Sequence, residues 1–147
     1  MLALLLATGC AGIFCGAALY VNFVEHPARV SCGLDLALRE FAPSYRRATI
    51  MQASLAVAGA LSGLAAAWQL HDRQTALAAI LLAAVVPYTL IVLFPTNKLL
   101  LDPALDPQSP HAGYILKRWN RLHGVRSFLS GAAFALFLWR ASSQAAH

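Results

Sequence analysis

The chain has 147 residues, of which 59% are apolar and 12% charged. Soluble domains usually carry about 45–50% apolar and about 25% charged residues, so this composition argues against a soluble enzyme and for one integral membrane domain over residues 1–147. The formal charge of +5 comes with no base-reading or phosphate-binding motif, so no nucleic acid partner is expected and basic connections beside anionic membrane lipid account for it.

A helix must be about 20 residues long to cross the roughly 30 Å apolar core of a bilayer. The charge-poor block from Met1 to Val24 predicts a first helix over about 2–26. No Lys or Arg precedes it. The stretch "LLATGC" has a faint likeness to a lipoprotein processing site, but the missing basic start and the apolar continuation predict that the block stays as a helix. Cys10 and Cys15 fall inside it. With Cys32 the count is odd, and the spacing fits neither a disulfide framework nor a zinc site. Pro27 predicts a stop or a kink.

The segment from Val30 to Phe41 reads as a short surface helix over about 30–41, with Leu34, Leu38 and Phe41 on one face. Pro43 suits the first turn of a second helix over about 44–70. Its "AVAGALSGLAAA" sets Gly59 and Gly63 in a small-xxx-small pair. That is a face for close helix packing and a candidate homo-oligomer contact. The short "HDRQT" connection makes the second and third helices antiparallel neighbours. The third helix, about 75–97, holds Pro87, a predicted kink. "LDPALDPQSPH" reads as a loop. The last apolar block, Ser127 to Trp139, has 13 residues and reaches only about 20 Å as a helix. The fourth helix must therefore start earlier, over about 114–140, and this draws His123 and Arg126 toward or below the membrane surface. Ionisable groups there are costly and point to function; the plainer reading is that Arg126 snorkels to the headgroups.

Nine of the 11 basic residues lie in or beside the first and third connections: Arg29, Arg39, Arg46 and Arg47, then Lys98, Lys117, Arg118, Arg121 and Arg126. By the positive-inside rule these two longer connections are cytoplasmic and both termini are outside. The expected fold class is all-α, a four-transmembrane-helix bundle. The expected location is a cell membrane, the inner membrane of a bacterium.

Polar residues gather at the inner mouth of such a bundle. Asn22, Glu25 and His26 close the first helix. Tyr45, Thr49 and Gln52 follow helical spacing on the second. Asn97 ends the third, and Trp119, His123 and Arg126 share a face of the fourth. A pocket between bundle helices is a usual ligand site. Each residue also has a plainer role. Asn22 and Gln52 suit interhelical hydrogen bonds, and Trp119 and Tyr114 suit interface anchors. His26 and His123 on facing helices also suit heme ligation, with Cys32 or Glu25 recruited. No spaced metal motif supports that, so no metal ligand and no cofactor is expected.

Four stretches, "GAALYVNFVEHPAR", "FAPSYRRATIMQ", "PYTLIVLFPTNKLL" and "WNRLHGVRS", occur in this order. Together they resemble the DUF1772 family, which is similar to the anthrone oxygenases. The resemblance implies a small four-helix membrane protein that oxidises a polycyclic or phenolic aromatic to a quinone with dioxygen and without a cofactor. It marks Asn22, Pro27, Tyr45, Asn97, Trp119, His123 and Arg126. In that chemistry His123 is the first choice for the base that deprotonates a ring methylene, and His26 the second. Arg126 stabilises the enolate, Asn22 and Asn97 hold a ring oxygen or orient a histidine, and Trp119 and Tyr45 stack on a flat substrate beside Gln52. The competing expectation is a non-catalytic membrane protein that binds a lipid or a quinone-like ligand. A transporter or channel is disfavoured, because no charge falls near the middle of the helices.

Overall fold

The structure, a computed structural model, describes residues 1–145, and residues 146–147 of the expected domain lie outside the described residues. Four helices carry the chain: α1 (Leu2–Ser31), α2 (Leu34–Leu70), α3 (Arg73–Leu100) and α4 (Pro110–Gln144). There is no strand among the described residues. Each helix is long and apolar enough to span a bilayer, and large apolar side chains such as Phe23, Trp68, Ile91 and Phe128 stand exposed on the outside of the bundle. The protein is a multi-pass membrane protein. Each helix packs on its sequence neighbour, and α4 closes the ring against α1, the arrangement of an up-and-down bundle.

The helix ends depart from the sequence reading at three places. First, α1 does not stop at Pro27. A π turn over Val21–Glu25 precedes it, and the His26 N–H bonds to the Val21 carbonyl. Pro27 has no N–H to give, and its ring crowds the carbonyl four residues back in a regular helix. Widening the turn relieves both, so the helix continues to Ser31. The same device recurs at Thr89–Leu93, ahead of Pro95, where the Phe94 N–H bonds to the Thr89 carbonyl. Pro87 lies inside α3 ahead of this turn, and α3 runs on past Asn97 to Leu100.

Second, the separate surface helix over 30–41 is the first part of α2. Gly33, at φ 102°, makes the turn after α1, a conformation that glycine adopts without a steric cost. Leu34, Leu38 and Phe41 do share a face, packed into the core. Pro43 sits inside α2 instead of opening it. Both Pro43 and Arg39 are exposed, so the Arg39 carbonyl that loses its partner meets solvent or headgroups. Third, α4 opens at Pro110, with the Ser109 hydroxyl accepting from the Ala112 N–H at 3.2 Å, a serine cap followed by a first-turn proline. Asp72 caps α3 in the same way. It accepts from the Thr75 hydroxyl at 2.6 Å and the Thr75 N–H at 2.8 Å, and these bonds, with Arg140 close by, hold its carboxyl below the usual range.

The two halves of the bundle are built differently. One half is knitted from small residues, with Ala7, Ala11, Ala66, Ala78, Ala79 and Ala133 around Leu82 and Phe137. Gly63 faces Phe137 and Ala79 so closely that an added Cβ would stand 2.6 Å from Phe137 Cζ and 2.9 Å from Ala79 Cβ. Gly59 is equally tight against Leu82 and Cys10. The small-residue face expected to serve an oligomer is therefore taken up between the protein's own helices. Gly63→Val is expected to destabilise the bundle by about 1–3 kcal/mol through overpacking. A lowered melting temperature in detergent, with Gly9→Val unaffected because a Cβ there meets nothing, is the check. The other half is built from large side chains, including Phe41, Leu93, Ile115, Leu116 and Trp119. Large rings hold the helix backbones apart, and the internal space lies there.

Candidate functional site

That space is a cavity of about 40 Å³ walled by all four helices. The π turns of α1 and α3 contribute Val21 and Leu93, α2 contributes Tyr45, Thr49 and Gln52, and α4 contributes Trp119, His123 and Arg126. Asn97 of α3 closes the wall. The placement on α4 follows from helical spacing, since residues three and four apart stack on one face.

The state of His123 is fixed by its neighbours. The Asn22 amide nitrogen donates to the Asn120 carbonyl at 2.9 Å and to the Asn120 side-chain oxygen at 2.8 Å. Both partners are acceptors, so the amide orientation is settled. The Asn22 Oδ1 then accepts from the Ser127 hydroxyl at 2.5 Å and faces His123 Nδ1 at 2.8 Å. An amide oxygen can only accept, so Nδ1 carries a hydrogen. In the neutral imidazole that leaves the lone pair on Nε2, which makes no hydrogen bond to the protein among the described residues. His123 is 3% exposed and lines the cavity. Asn22 thus selects which ring nitrogen of His123 is left free.

Arg126 supplies the charge. Its Nη2 donates to Gln52 Oε1 at 2.5 Å, and its guanidinium carbon lies 5.3 Å from the Phe14 ring centroid. No carboxylate lies within 4.0 Å of it among the described residues, whereas Arg29, Arg39 and Arg140 all have one. Its Nε is buried without a partner. A guanidinium partly withdrawn from water without an anion carries a desolvation cost.

The aromatic residues form the floor. Trp119 Nε1 donates to Asn97 Oδ1 at 2.7 Å, which fixes the indole. His123 stacks on that indole at 4.8 Å between ring centroids, and His26 leans on it at 5.3 Å. Tyr45 stacks on Phe41 at 5.8 Å, and Phe41 meets Trp119 edge-on at 5.4 Å.

The structure thus gathers Tyr45, Gln52, Asn97, Trp119, His123 and Arg126 around one cavity. Asn22 reaches it only through His123, and its own side chain borders a groove between α1 and α4. His26 does not line the cavity; it borders a second part of the α1–α4 groove. Asn22 and His26 thus stand on the same side of α1, each bordering the α1–α4 groove beside Pro27 and Asn120. Among the described residues, no three His, Cys, Asp or Glu side chains come together as metal ligands.

Sequence reasoning missed two features. Asn120 and Ser127 hold Asn22 in register; their spacing of three before and four after His123 was the available signal. Arg29, counted as a loop charge, is 6% exposed and lines the cavity. It pairs with Glu25 on its own helix, with Glu40 at 2.8 Å, and with Ser44 at 3.4 Å. The i,i+4 spacing of Glu25 and Arg29 was the clue.

A family model described as anthrone oxygenase matches residues 41–136. The match takes in Tyr45, Gln52, Asn97, Trp119, His123 and Arg126, and begins after Asn22 and His26. No curated protein and no solved structure matches the chain.

Proposed function

We propose, since the chain belongs to the anthrone oxygenase family, that it oxidises a flat polycyclic phenol-ketone to the quinone with dioxygen. The observation that carries this reading is the pairing of a histidine with a free Nε2 and a guanidinium without an anion at one cavity. His123 Nε2 takes a proton from the ring methylene. The electron pair spreads to the ring oxygen, and Arg126 stabilises that enolate. The carbanion passes one electron to dioxygen, and the carbon radical and superoxide join in a C–O bond. His123 returns its proton to the peroxide. The hydroperoxide loses its remaining C–H proton together with hydroxide, as water, and leaves the quinone carbonyl. One dioxygen is consumed; one of its atoms enters the quinone and the other leaves as water. Asn97 and Trp119 hold the floor on which the imidazole lies, and Tyr45 lies along its edge.

The orientation we favour puts the basic α1–α2 and α3–α4 connections in the cytoplasm and both termini outside, in a bacterial inner membrane. The site then sits at the cytoplasmic edge of the bilayer, with membrane lipid around the exposed apolar belt. The test is oxygen uptake by the purified protein in lipid nanodiscs supplied with 1,8-dihydroxyanthrone. Uptake above the spontaneous rate, with quinone formed in equal amount, is the expected result. Tight binding of the anthrone with no added uptake would sink oxidation and leave a non-catalytic binder of aromatic ligands.

A further inference from the structure

We infer that the fused rings of the substrate bind in a crevice between α2 and α3 that opens to the bilayer, so that only the reacting edge enters the inner cavity. This rests on the oxidation reading above and adds the ring subsite and the route of entry. The inner cavity, at about 40 Å³, has room for small molecules such as water or dioxygen and none for three fused rings. The crevice beside it measures about 290 Å³, close to the lower end of the roughly 300–1,000 Å³ usual for small-ligand sites. The two spaces share Tyr45, Thr49, Gln52 and Arg126. The boundary between them thus includes the guanidinium that lacks an anion.

Beyond that boundary the crevice is apolar, with Ala53, Ala56, Val86 and Leu90 along its walls. Ala53 and Leu90 are exposed on the outside of the bundle, where a membrane places acyl chains. The π turn of α3 forms part of this wall through Thr89 and Leu90. Two larger grooves, each about 810 Å³, run between α1 and α4, but neither shares a residue with the inner cavity. Entry from the lipid therefore runs between α2 and α3. The ligand class follows from the lining: a flat aromatic that is apolar over its length and carries a ring oxygen at one end, which Arg126 meets. A ligand with a charged tail would place that charge in the apolar mouth.

The experiment uses the full-length protein in nanodiscs, with Trp68 and Trp139 replaced by Phe so that Trp119 alone reports. Both replaced residues are exposed. The probe is 1,8-dihydroxyanthraquinone, followed by quenching of Trp119. Ala53→Phe, which puts a ring into the crevice mouth at an exposed position, is expected to weaken binding by about tenfold or more, a loss of about 1.4 kcal/mol. Ala132→Phe, which puts the same ring into the α1–α4 groove, is expected to bind within about twofold of the parent on the same scale. Equal binding by Ala53→Phe and the parent overturns the subsite, as does weakening by Ala132→Phe alone. Failure of the parent to bind the probe overturns it too. Oxygen uptake by the same preparation reports separately on the oxidation itself, so a crevice in the wrong place and an enzyme with the wrong activity give different results.

Discussion

His123→Gln is expected to slow anthrone oxidation by about 10²–10⁴-fold, the usual contribution of a positioned general base. The loss should fall on kcat, because the base acts in the transition state and not in holding the rings. Glutamine keeps a donor for Asn22 Oδ1, so the melting temperature and the binding of the quinone product should change little. A variant that loses folding and rate together would make His123 a structural residue. Asn22→Leu gives a second view of the same atom. It removes the acceptor that selects the Nδ1–H form, and should reduce the rate less than loss of the imidazole. Its mark is a rate that falls while the affinity for the quinone holds.

Arg126→Gln is expected to reduce kcat by about 10²–10³-fold, as removal of a donor to a developing oxyanion does elsewhere. Its effect on folding should have the opposite sign. The guanidinium is half-buried with its Nε enclosed, leans on Phe14 and has one hydrogen-bond acceptor, Gln52. Removing a partly desolvated charge that has no anion relieves a desolvation cost, and glutamine can still donate to Gln52. A melting temperature equal to or above that of the parent, together with the loss of rate, is the predicted pair of results. A structural arginine would give a large drop in stability on the same substitution. Sites that sacrifice stability for chemistry commonly behave in this way.

The four helices were legible because bilayer crossing imposes a length and an apolar composition that few other structures need. The short apolar run after Arg126 also carried real information. It drew His123 and Arg126 toward or below the membrane surface, and the structure finds both at one cavity. Other features are set by tertiary contacts that leave a weak local trace. Four-residue spacing set Asn22 and His26 on one side of α1, but which neighbouring helix that side meets depends on packing, and it borders the α1–α4 groove instead of the inner cavity. Pro43 reads as a helix start by preference, and only its exposure explains how α2 runs through it. Arg29 reads as a solvated charge until Glu40, 11 positions on, is brought alongside. The small-residue pair Gly59 and Gly63 signalled a close approach, but composition does not say whether the approaching surface belongs to the same chain.

The tight half of the bundle limits how this scaffold can diversify. Around Gly59 and Gly63 even one methyl group meets a neighbour at under 3.0 Å, so that end is closed to change in side-chain volume. Freedom to grow or shrink remains along the α2–α3 mouth, at positions such as Ala53 and Leu90 that bear on lipid instead of on another helix. Homologues that handle ligands of different breadth should therefore vary in that mouth while the knitted end stays alanine and glycine, and an engineer who wants a broader substrate range has a short stretch of two helices to work with.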